Sequence, residues 1–406
     1  MDVAKATNYD SLLSRRARLE LPTPRMTRTA GTANEPAPLY LFGGGFPDPA
    51  SFPYQGLVEA TQDVLQHEGA EALAYGHPRG YLGLRELVCE KTRYYEGFDI
   101  SVDNVLITNG SSHALAMACD LLVDVGDTVV TEAPTFSGTL HNFRRYGPRI
   151  IGVSMDHEGI RTDELEERLK ELARQGRKAK LIYTIVNFQN PAGMTQSHRR
   201  RIELLDLAEK YDTMVLEDDA YGELRYDGEP VKSLFGLDDN GRVLRSGTLS
   251  KILGPGVRLG WLLAPKDLLP KVAQFKVDGG TNPYVSRVAT YYMRKHMHEH
   301  VQELRGIYRQ KRDLMLERLR AGLGDSAEIS QPEGGFFVWI RLPEGTDPQK
   351  LLDLAAARRV VHVPGSNFFP AGDTGFDHIR LAFSYASLDD IRQGVDLLCE
   401  AIKEAR

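Results

Sequence analysis

Apolar and polar positions follow two different periodic patterns along this chain. Helical spacing after Phe52-Pro53 and over residues 82–95 predicts two amphipathic helices. Short apolar runs, each typical of a buried strand, then recur from Val105 onward. The predicted strands are 105–107, 128–131, 150–153, 181–185, 214–217 and 242–245, and the predicted helices are 112–122, from about 136, 162–175 and 197–211. This alternation predicts an α/β fold in which helices cover both faces of a mostly parallel central sheet.

The pattern changes after Ala264. Helices are predicted at about 265–278, at 284–322 and at 388–404, with an apolar run at 334–340 between the last two. This longer period predicts a second, smaller α/β domain. We therefore divide the chain into an N-terminal arm (1–50) that contributes to the small domain, a large domain (51–290) and a small C-terminal domain (291–406). A short helix is predicted within the arm at residues 12–16.

Composition excludes several classes of protein. The 406 residues are 42% hydrophobic and 26% charged, which is typical of a globular protein. A net charge of −6 gives no electrostatic reason to expect nucleic acid or an anionic membrane as a partner. No apolar run resembles a signal peptide or a membrane span, so we expect a cytoplasmic protein. Cys89, Cys119 and Cys399 follow no metal-binding spacing, and we predict reduced thiols and no metal site.

One lysine lies beside several groups that can hold a phosphate. Lys251 follows Thr248 and Ser250 and precedes Arg258 in a glycine-rich stretch. Hydroxyls and a guanidinium can bind a phosphate, while the amine can condense with an aldehyde. The segment therefore suits a ligand that carries both a phosphate and a carbonyl, although a lysine in a polar surface loop would have a similar sequence.

An acidic run ends one of the predicted strands. Asp218 lies in the run 217–219 and comes shortly before Tyr221. Open α/β sheets bind ligands at the carboxyl ends of their strands. A carboxylate beside the ring nitrogen of a pyridine would keep that nitrogen protonated, so that the ring could accept electrons. Helix capping or solvation explains such a run equally well when it is taken alone.

Two further segments place polar groups after strands. Asn190 precedes a proline in a tight turn, where asparagine usually has a structural role. Ser111 and Ser112 follow a glycine turn at the start of a predicted helix. Backbone N–H groups and a hydroxyl at a helix N-terminus form an anion site, and helix capping by either serine is the simpler alternative.

Together these motifs resemble a known family. Their order is typical of the fold-type-I aminotransferases that depend on pyridoxal 5'-phosphate (PLP): Gly110-Ser111-Ser112, Asn190-Pro191-Ala192-Gly193, Asp218 with Tyr221, Ser250-Lys251, and Arg258. The chain is similar, over about residues 43–384, to the branch that contains 2-aminoadipate, kynurenine and aromatic aminotransferases. The resemblance implies a large PLP-binding domain and transamination between an α-amino acid and a 2-oxo acid, with 2-oxoglutarate as the expected acceptor. It also implies a homodimer with active sites at the subunit interface.

The resemblance assigns roles to the matching residues. Lys251 would carry the cofactor as a Schiff base and later move a proton between the substrate and the cofactor. Asp218 would pair with the pyridine nitrogen, while Tyr221 and Asn190 would hydrogen-bond the phenolic oxygen of the ring. Arg380 would bind the substrate α-carboxylate, and we assign Gly45 and Asn190 to the same substrate site. The catalytic set is thus Lys251, Asp218 and Tyr221.

The remaining cofactor residues surround the ring and the phosphate. Phe136 would stack on the pyridine face, and Tyr75 would reach the phosphate bound by the neighbouring subunit. The phosphate of the chain's own cofactor would be held by Ser111, Ser112, Thr248, Ser250 and Arg258.

Some positions keep more than one interpretation. Ala192 stands where many relatives have threonine, and His113 stands where an amide or a small residue is common. His113 is either a residue of the helix surface that supports the site or a catalytic base. The arm contains several arginines, one of which could bind a substrate side-chain carboxylate: Arg15, Arg16, Arg25 and Arg28.

Two other functions fit parts of the sequence. A lyase, decarboxylase or oxidase that acts on an amino acid could use the same PLP site, because the outcome depends on which substrate bond stands perpendicular to the ring. A ligand-binding half of a transcription regulator could share the fold, but only about forty residues precede Gly43, too few for a DNA-binding domain. Transamination is the function that the sequence favours.

Overall fold

The computed structural model describes residues 13–14, 17–19 and 39–406. Most of the helix predicted at 12–16 lies outside these residues, as do Arg15, Arg16, Arg25 and Arg28. Over the described ranges, no helix combines the length and the apolar character that crossing a membrane requires. In the same ranges, no cluster of histidine, cysteine or acidic residues is placed to hold a metal ion.

The strands lie close to the predicted apolar runs. In chain order they are β1 (Tyr40–Leu41), β2 (Val105–Thr108), β3 (Thr128–Ala133), β4 (Arg149–Asp156), β5 (Gly159–Ile160), β6 (Ala179–Thr184), β7 (Met214–Asp219), β8 (Val243–Thr248), β9 (Gly260–Leu263), β10 (Glu328–Ile329), β11 (Phe337–Arg341), β12 (Val360–Val361), β13 (Val363–Pro364) and β14 (His378–Ala382). The sequence did not predict β9, because it follows a stretch of glycine and proline that is typical of a loop.

The helices also follow the predicted periodicity, with one exception. They are α1 (Tyr54–His67), α2 (Gly69–Leu73), α3 (Leu82–Glu96), α4 (Ser111–Leu122), α5 (Ser137–Arg144), α6 (Thr162–Arg174), α7 (His198–Lys210), α8 (Leu234–Leu237), α9 (Leu269–Ala273), α10 (Pro283–Leu323), α11 (Pro348–Ala357) and α12 (Leu388–Ala405). The helix predicted at 265–278 is wrong in length, since only α9 forms. Phe275 and Val277, which would have extended its apolar face, are exposed instead of packed.

A mostly parallel sheet forms the centre of the molecule, which confirms the predicted α/β fold. Its strand order is β2-β9-β8-β7-β6-β3-β4-β5. The neighbours from β8 to β4 are parallel, whereas β9 is antiparallel to both β2 and β8. One face packs on α4 and α5 through residues such as Leu115 and Phe143, and the other on α6 and α7 through Leu165 and Leu204. The carboxyl ends of β2, β3, β6, β7 and β8 therefore lie along one edge.

A smaller antiparallel sheet lies in the C-terminal part of the chain, with the order β10-β11-β14-β13. Beside it, β1 pairs with β12 in parallel, which ties residues 40–41 to this region. Arg380 lies in the middle of β14, opposite Trp339 in β11 and Val363 in β13. Helix α10 continues without a break through position 290, where the predicted boundary falls, so the division at 290 stays a prediction.

Candidate active site

The carboxyl end of β7 carries a buried carboxylate that has no cationic partner among the described residues. Asp218 accepts hydrogen bonds from the Tyr183 hydroxyl at 2.7 Å and from Ser246 Oγ at 2.7 Å. Burial raises the pKa of Asp218, although both of these hydrogen bonds oppose the rise. A protonated ring nitrogen would supply the missing positive charge, so the site fits a pyridine ligand.

Lys251 lies near this carboxylate, after the end of β8. Its Nζ donates a hydrogen bond to the carbonyl of Gly45 at 3.0 Å and lies 5.7 Å from the centre of the Tyr221 ring. Burial and, to a lesser extent, the positive charge of Arg380 lower the pKa of Lys251 to about 8, against the influence of Asp218. An amine with a lowered pKa is more often neutral, which is the form that condenses with an aldehyde.

An anion cradle forms where α4 begins. Gly110 precedes α4 and offers no side-chain cap, and its φ of +78° favours glycine. A Cβ at this position would lie 2.7 Å from Nη2 of Arg258, so glycine keeps the space beside the guanidinium open. Thr248 Oγ1 donates to Ser250 Oγ at 2.9 Å. Thr248 pairs with Gly260, which packs against the backbone N of Ser111, so these hydroxyls lie close to the start of α4. Free backbone N–H groups, hydroxyls and an arginine are the donors that a phosphate needs.

The small sheet contributes a buried arginine that likewise has no carboxylate partner among the described residues. Arg380 donates from Nη1 to Asn190 Oδ1 at 2.8 Å and from Nη2 to the Gly43 carbonyl at 2.5 Å. Its guanidinium lies 4.3 Å from the ring centre of Phe337 and 4.8 Å from that of Phe368. Nε is buried and makes no hydrogen bond, and burial lowers the pKa of Arg380 to about 10. These features fit a site for a substrate carboxylate.

Gly45 connects the two halves of this site. Its carbonyl accepts the hydrogen bond from Lys251, and a Cβ at this position would lie 2.5 Å from Cζ of Phe337. Only glycine allows the segment before α1 to approach β11 this closely. The Tyr221 hydroxyl lies 3.7 Å from the same point, and burial raises the pKa of Tyr221.

Three other predicted residues make no hydrogen bond or ring contact with Asp218, Lys251 or Arg380 within the part of the chain that the structure describes. Phe136 is partly buried and directly precedes α5. Ser112 is exposed in the first turn of α4. Tyr75 is 96% exposed.

His113 supports the turn that precedes α4. Its Nδ1 accepts a hydrogen bond from the backbone N–H of Asn109 at 3.2 Å, and the Asn109 side chain donates to Asp278 at 2.9 Å. Burial lowers the pKa of His113, which favours a neutral ring. This geometry favours the supporting role over that of a catalytic base.

Sequence reasoning missed four side chains that shape the site. Tyr183 and Ser246 hold Asp218, while Phe337 and Phe368 enclose Arg380. The signal for Ser246 is the strand register, since it pairs with Asp218 across β7 and β8. That register is not visible until the order of the strands is known.

Comparisons with known proteins agree with this geometry. Residues 42–401 match the family model described as Aminotransferase class I and II. The chain is 40% identical to aromatic-amino-acid aminotransferase 1 of Thermococcus litoralis, with 91% of this chain and 89% of that protein aligned. It is 33% identical to the 2-aminoadipate transaminase of Thermus thermophilus, with 89% of each protein aligned. The crystal structure of Pyrococcus horikoshii kynurenine aminotransferase with PMP superposes with a TM-score of 0.87, at 40% identity and 91% coverage of both chains.

The fold and the site thus define an enzyme that binds PLP and an amino acid. The chain belongs to the class I and II aminotransferases, and the reaction it catalyses is PLP-dependent transamination. A lyase, decarboxylase or oxidase reaction is not favoured, because these relatives are all named as aminotransferases. When bound, PLP supplies an aldehyde that condenses with amines and a ring that withdraws electrons from the substrate α-carbon.

Proposed function

We propose that this enzyme transaminates aromatic amino acids, including kynurenine, with 2-oxoglutarate as the amino acceptor. The observation that carries the proposal is Arg380, a buried cation with a free Nε between two phenylalanine rings. A carboxylate at Arg380 would place the substrate beside apolar aromatic surface, which suits an aromatic side chain. Two relatives named for aromatic amino acids and for kynurenine support this choice, and the aminoadipate relative makes 2-aminoadipate the second candidate donor.

Each residue then has a defined task in the reaction. Arg380 and Asn190 fix the α-carboxylate, which sets the direction of the bond from the α-carbon to its hydrogen. Nζ of Lys251 would take the proton from the substrate α-carbon and return it to the cofactor, a step that its lowered pKa favours. The Asp218 carboxylate keeps the ring nitrogen protonated, and the Tyr221 hydroxyl donates to the ring oxygen.

The cofactor contacts are completed by residues around the ring and the phosphate. Phe136 would stack on the ring, and the cradle before α4 would bind the phosphate. The phosphate would be held by the backbone and hydroxyls of Ser111 and Ser112, the hydroxyls of Thr248 and Ser250, and the guanidinium of Arg258.

The proposal includes a homodimer that shares its active sites. Tyr75 is 96% exposed, Val277 is 92% exposed and Leu73 is 75% exposed, which is unusual for apolar residues of this size outside an interface. In a dimer, Tyr75 would bind the phosphate held by the partner. Mixing Lys251→Ala with Tyr75→Phe subunits should create one intact site per mixed dimer, so activity should exceed that of either parent. Light scattering gives the mass, and a monomeric mass would contradict the proposal.

The domain division and the location are also part of the proposal. The arm and the segment from 291 would form the small domain around the antiparallel sheet, and residues 51–290 the large one. A cytoplasmic location agrees with Cys89 and Cys399, which form no disulfide bond. Limited proteolysis would test the division, and cell fractionation would test the location.

A stopped-flow absorbance screen tests the substrate. The holoenzyme is mixed with phenylalanine, tyrosine, tryptophan, kynurenine, 2-aminoadipate, aspartate or alanine, without a 2-oxo acid. We expect the visible absorbance of the Lys251-bound cofactor to disappear fastest with the aromatic donors and to return on addition of 2-oxoglutarate. Lys251→Ala is the control. Faster conversion of aspartate or alanine would overturn the aromatic assignment, and no conversion at all would overturn transamination.

A further inference from the structure

A second buried carboxylate lies outside the set of residues assigned so far. Glu132, near the end of β3, is fully buried. It accepts hydrogen bonds from Thr184 Oγ1 at 2.5 Å, from the Ile185 N–H at 3.0 Å and from Gln189 Nε2 at 2.8 Å. No cation among the described residues forms an ion pair with it. A buried carboxylate that is held only by neutral donors is costly, so its hydrogen bonds must be well formed for the fold to tolerate it.

Gln189 extends this contact to two loops. It is fully buried, and its Nε2 also donates to the carbonyl of Pro134 at 2.8 Å. Its Oε1 accepts the backbone N–H of Ala192 at 2.8 Å. One side chain therefore joins the segment that leads to Phe136 with the turn that contains Asn190. We call the pair Glu132 and Gln189 the brace.

Each of the two segments is connected to Arg380. In the turn, Asn190 Oδ1 accepts the hydrogen bond of Arg380 Nη1 at 2.8 Å. In the segment that leads to Phe136, the backbone N–H of Thr135 donates to the carbonyl of Phe368 at 2.8 Å, and the Phe368 ring lies 4.8 Å from the Arg380 guanidinium. The position of the arginine is thus set on two sides by segments that share one glutamine.

We propose that Glu132 and Gln189 are positioning residues for transamination, which fix Asn190 and Phe368 and thereby direct Arg380 toward the substrate α-carboxylate. This inference rests on the proposed roles of Arg380 and Asn190. It predicts that loss of the Gln189 hydrogen bonds weakens the binding of carboxylates more than it slows the chemical step, because Gln189 makes no hydrogen bond with Lys251 or Asp218.

Gln189→Met keeps the size of the side chain and removes its hydrogen bonds. The matched control is Gln196→Met, because Gln196 is also buried but accepts only from Thr184 at 3.2 Å and leaves its amide nitrogen without a partner. We expect Gln189→Met to raise KM for the amino acid and the dissociation constant of 3-phenylpropionate, an unreactive carboxylate, each roughly tenfold, as the loss of a buried hydrogen bond implies. We expect kcat to fall less than about threefold, because the carboxylate is held equally in the bound substrate and in the transition state.

A swapped pair tests the direction of the hydrogen bond. In Glu132→Gln, the new NH₂ group replaces one of the two carboxylate oxygens. In one orientation it faces the NH₂ group of Gln189, and in the other it faces the backbone N–H of Ile185, so a donor meets a donor in both cases. In Glu132→Gln with Gln189→Glu, the amide can donate to the new carboxylate, which can still accept from Ala192 but no longer donates to the Pro134 carbonyl. We therefore expect the single variant to bind 3-phenylpropionate more weakly than the wild type, and the double variant to recover part of that affinity.

Calorimetric titration of the holoenzymes with 3-phenylpropionate measures this affinity without turnover, and the visible spectrum gives the cofactor content. Equal affinity in Gln189→Met and Gln196→Met would overturn the inference, as would a double variant no better than Glu132→Gln. If Gln189→Met does not fold, the swapped pair alone decides. A wild type that neither converts the aromatic donors nor binds 3-phenylpropionate would refute the proposed function itself, which distinguishes that failure from failure of the brace.

Discussion

Asp218 and Asp219 are neighbours in the chain, yet they face two different electrostatic environments. On the Asp219 side, Arg245 contacts Asp219 at 2.5 Å and Glu96 at 2.7 Å, with Glu217 at 3.8 Å. On the Asp218 side the carboxylate has only the hydroxyls of Tyr183 and Ser246. Burial alone would raise both pKa values, but Arg245 and Lys91 outweigh burial at Asp219 and lower its pKa, whereas the pKa of Asp218 remains raised.

The comparison distinguishes charged residues that stabilise the fold through ion pairs from charged residues that are available to bind a ligand. On the Asp219 side of β7, Arg245 offsets part of the negative charge of three carboxylates: Asp219, Glu96 and Glu217. Apart from the exposed Arg258, the site contains three charged groups that form no ion pair with the described residues: Asp218, Lys251 and Arg380. Unpaired buried charges are costly in the free protein, so their presence in one cleft is a mark of function.

Lys251→Ala should give the largest change in activity with no loss of stability. We expect kcat to fall on the order of 10⁴-fold or more, because the nucleophile and the proton carrier are lost together. Below pH 8 the cofactor-free variant should be at least as stable as the wild type, since folding lowers the pKa of this amine to about 8 and so opposes its protonation. Single-turnover kinetics and thermal unfolding measure the two effects. A marked fall in the midpoint of unfolding would place Lys251 among the structural charges.

Arg245→Leu should do the reverse and damage the fold. It leaves Asp219, Glu96 and Glu217 buried without their shared cation, which we expect to cost about 3–5 kcal/mol in the free energy of unfolding. The control is Arg199→Leu, because Arg199 is more than half exposed and its ion pairs with Glu158 and Glu203 should contribute no more than about 1 kcal/mol. Urea unfolding compares the two variants, and equal losses would contradict the distinction.

The sequence predicted the half of the site that is contiguous in the chain. Lys251 lies among hydroxyls and before an arginine within a single segment, and Asp218 lies close to Tyr221. Their chemistry is visible because neighbouring residues supply it. The choice of Asp218 over Asp219 came from the family resemblance, since periodicity gives no reason to prefer either carboxylate.

The other half depends on contacts between distant segments, which local patterns do not encode. Arg245 in β8 meets carboxylates from α3 and β7, and Gln189 meets Glu132 only after β3 and β6 pair. Strand β9 was missed for a related reason. The loop before it contains Gly254, Pro255 and Gly256, and only pairing with β2 and β8 reveals the strand.

Arg380→Leu should weaken substrate binding with a smaller effect on stability than Arg245→Leu. The variant loses a charge-assisted contact to the substrate carboxylate, so we expect KM to rise roughly 100-fold, or about 2.7 kcal/mol. The free energy of unfolding should change by less than about 2 kcal/mol, because removal of an unpaired buried cation offsets the hydrogen bonds lost at Asn190 and Gly43. Steady-state kinetics and urea unfolding report both. A stability loss equal to that of Arg245→Leu would show that Arg380 is structural.

The pH dependence of stability should have opposite signs for the two aspartates. In the cofactor-free protein the raised pKa of Asp218 means that the folded state holds a proton that the unfolded state has released. The stability that this proton contributes to the folded state is therefore lost as pH rises above 3.8, the ordinary pKa of an aspartate. Over that range Asp218→Asn should become more stable relative to the wild type. The lowered pKa of Asp219 makes its contribution present above 3.8 and absent at more acidic pH, so Asp219→Asn should become less stable relative to the wild type as pH rises.

Binding of PLP should reverse the pH dependence of stability for Asp218→Asn but not for Asp219→Asn. A protonated ring nitrogen beside Asp218 favours the charged carboxylate and lowers its pKa, so Asp218→Asn in the loaded enzyme should lose stability as pH rises. The dependence at Asp219 should keep its sign, because Arg245 already neutralises it. Urea unfolding of both variants, with and without cofactor, measures the four slopes. If PLP does not change the slope of stability against pH for Asp218→Asn, the Asp218 carboxylate does not face the cofactor ring. The different environments of Asp218 and Asp219 would then reflect packing of the fold and not ligand binding.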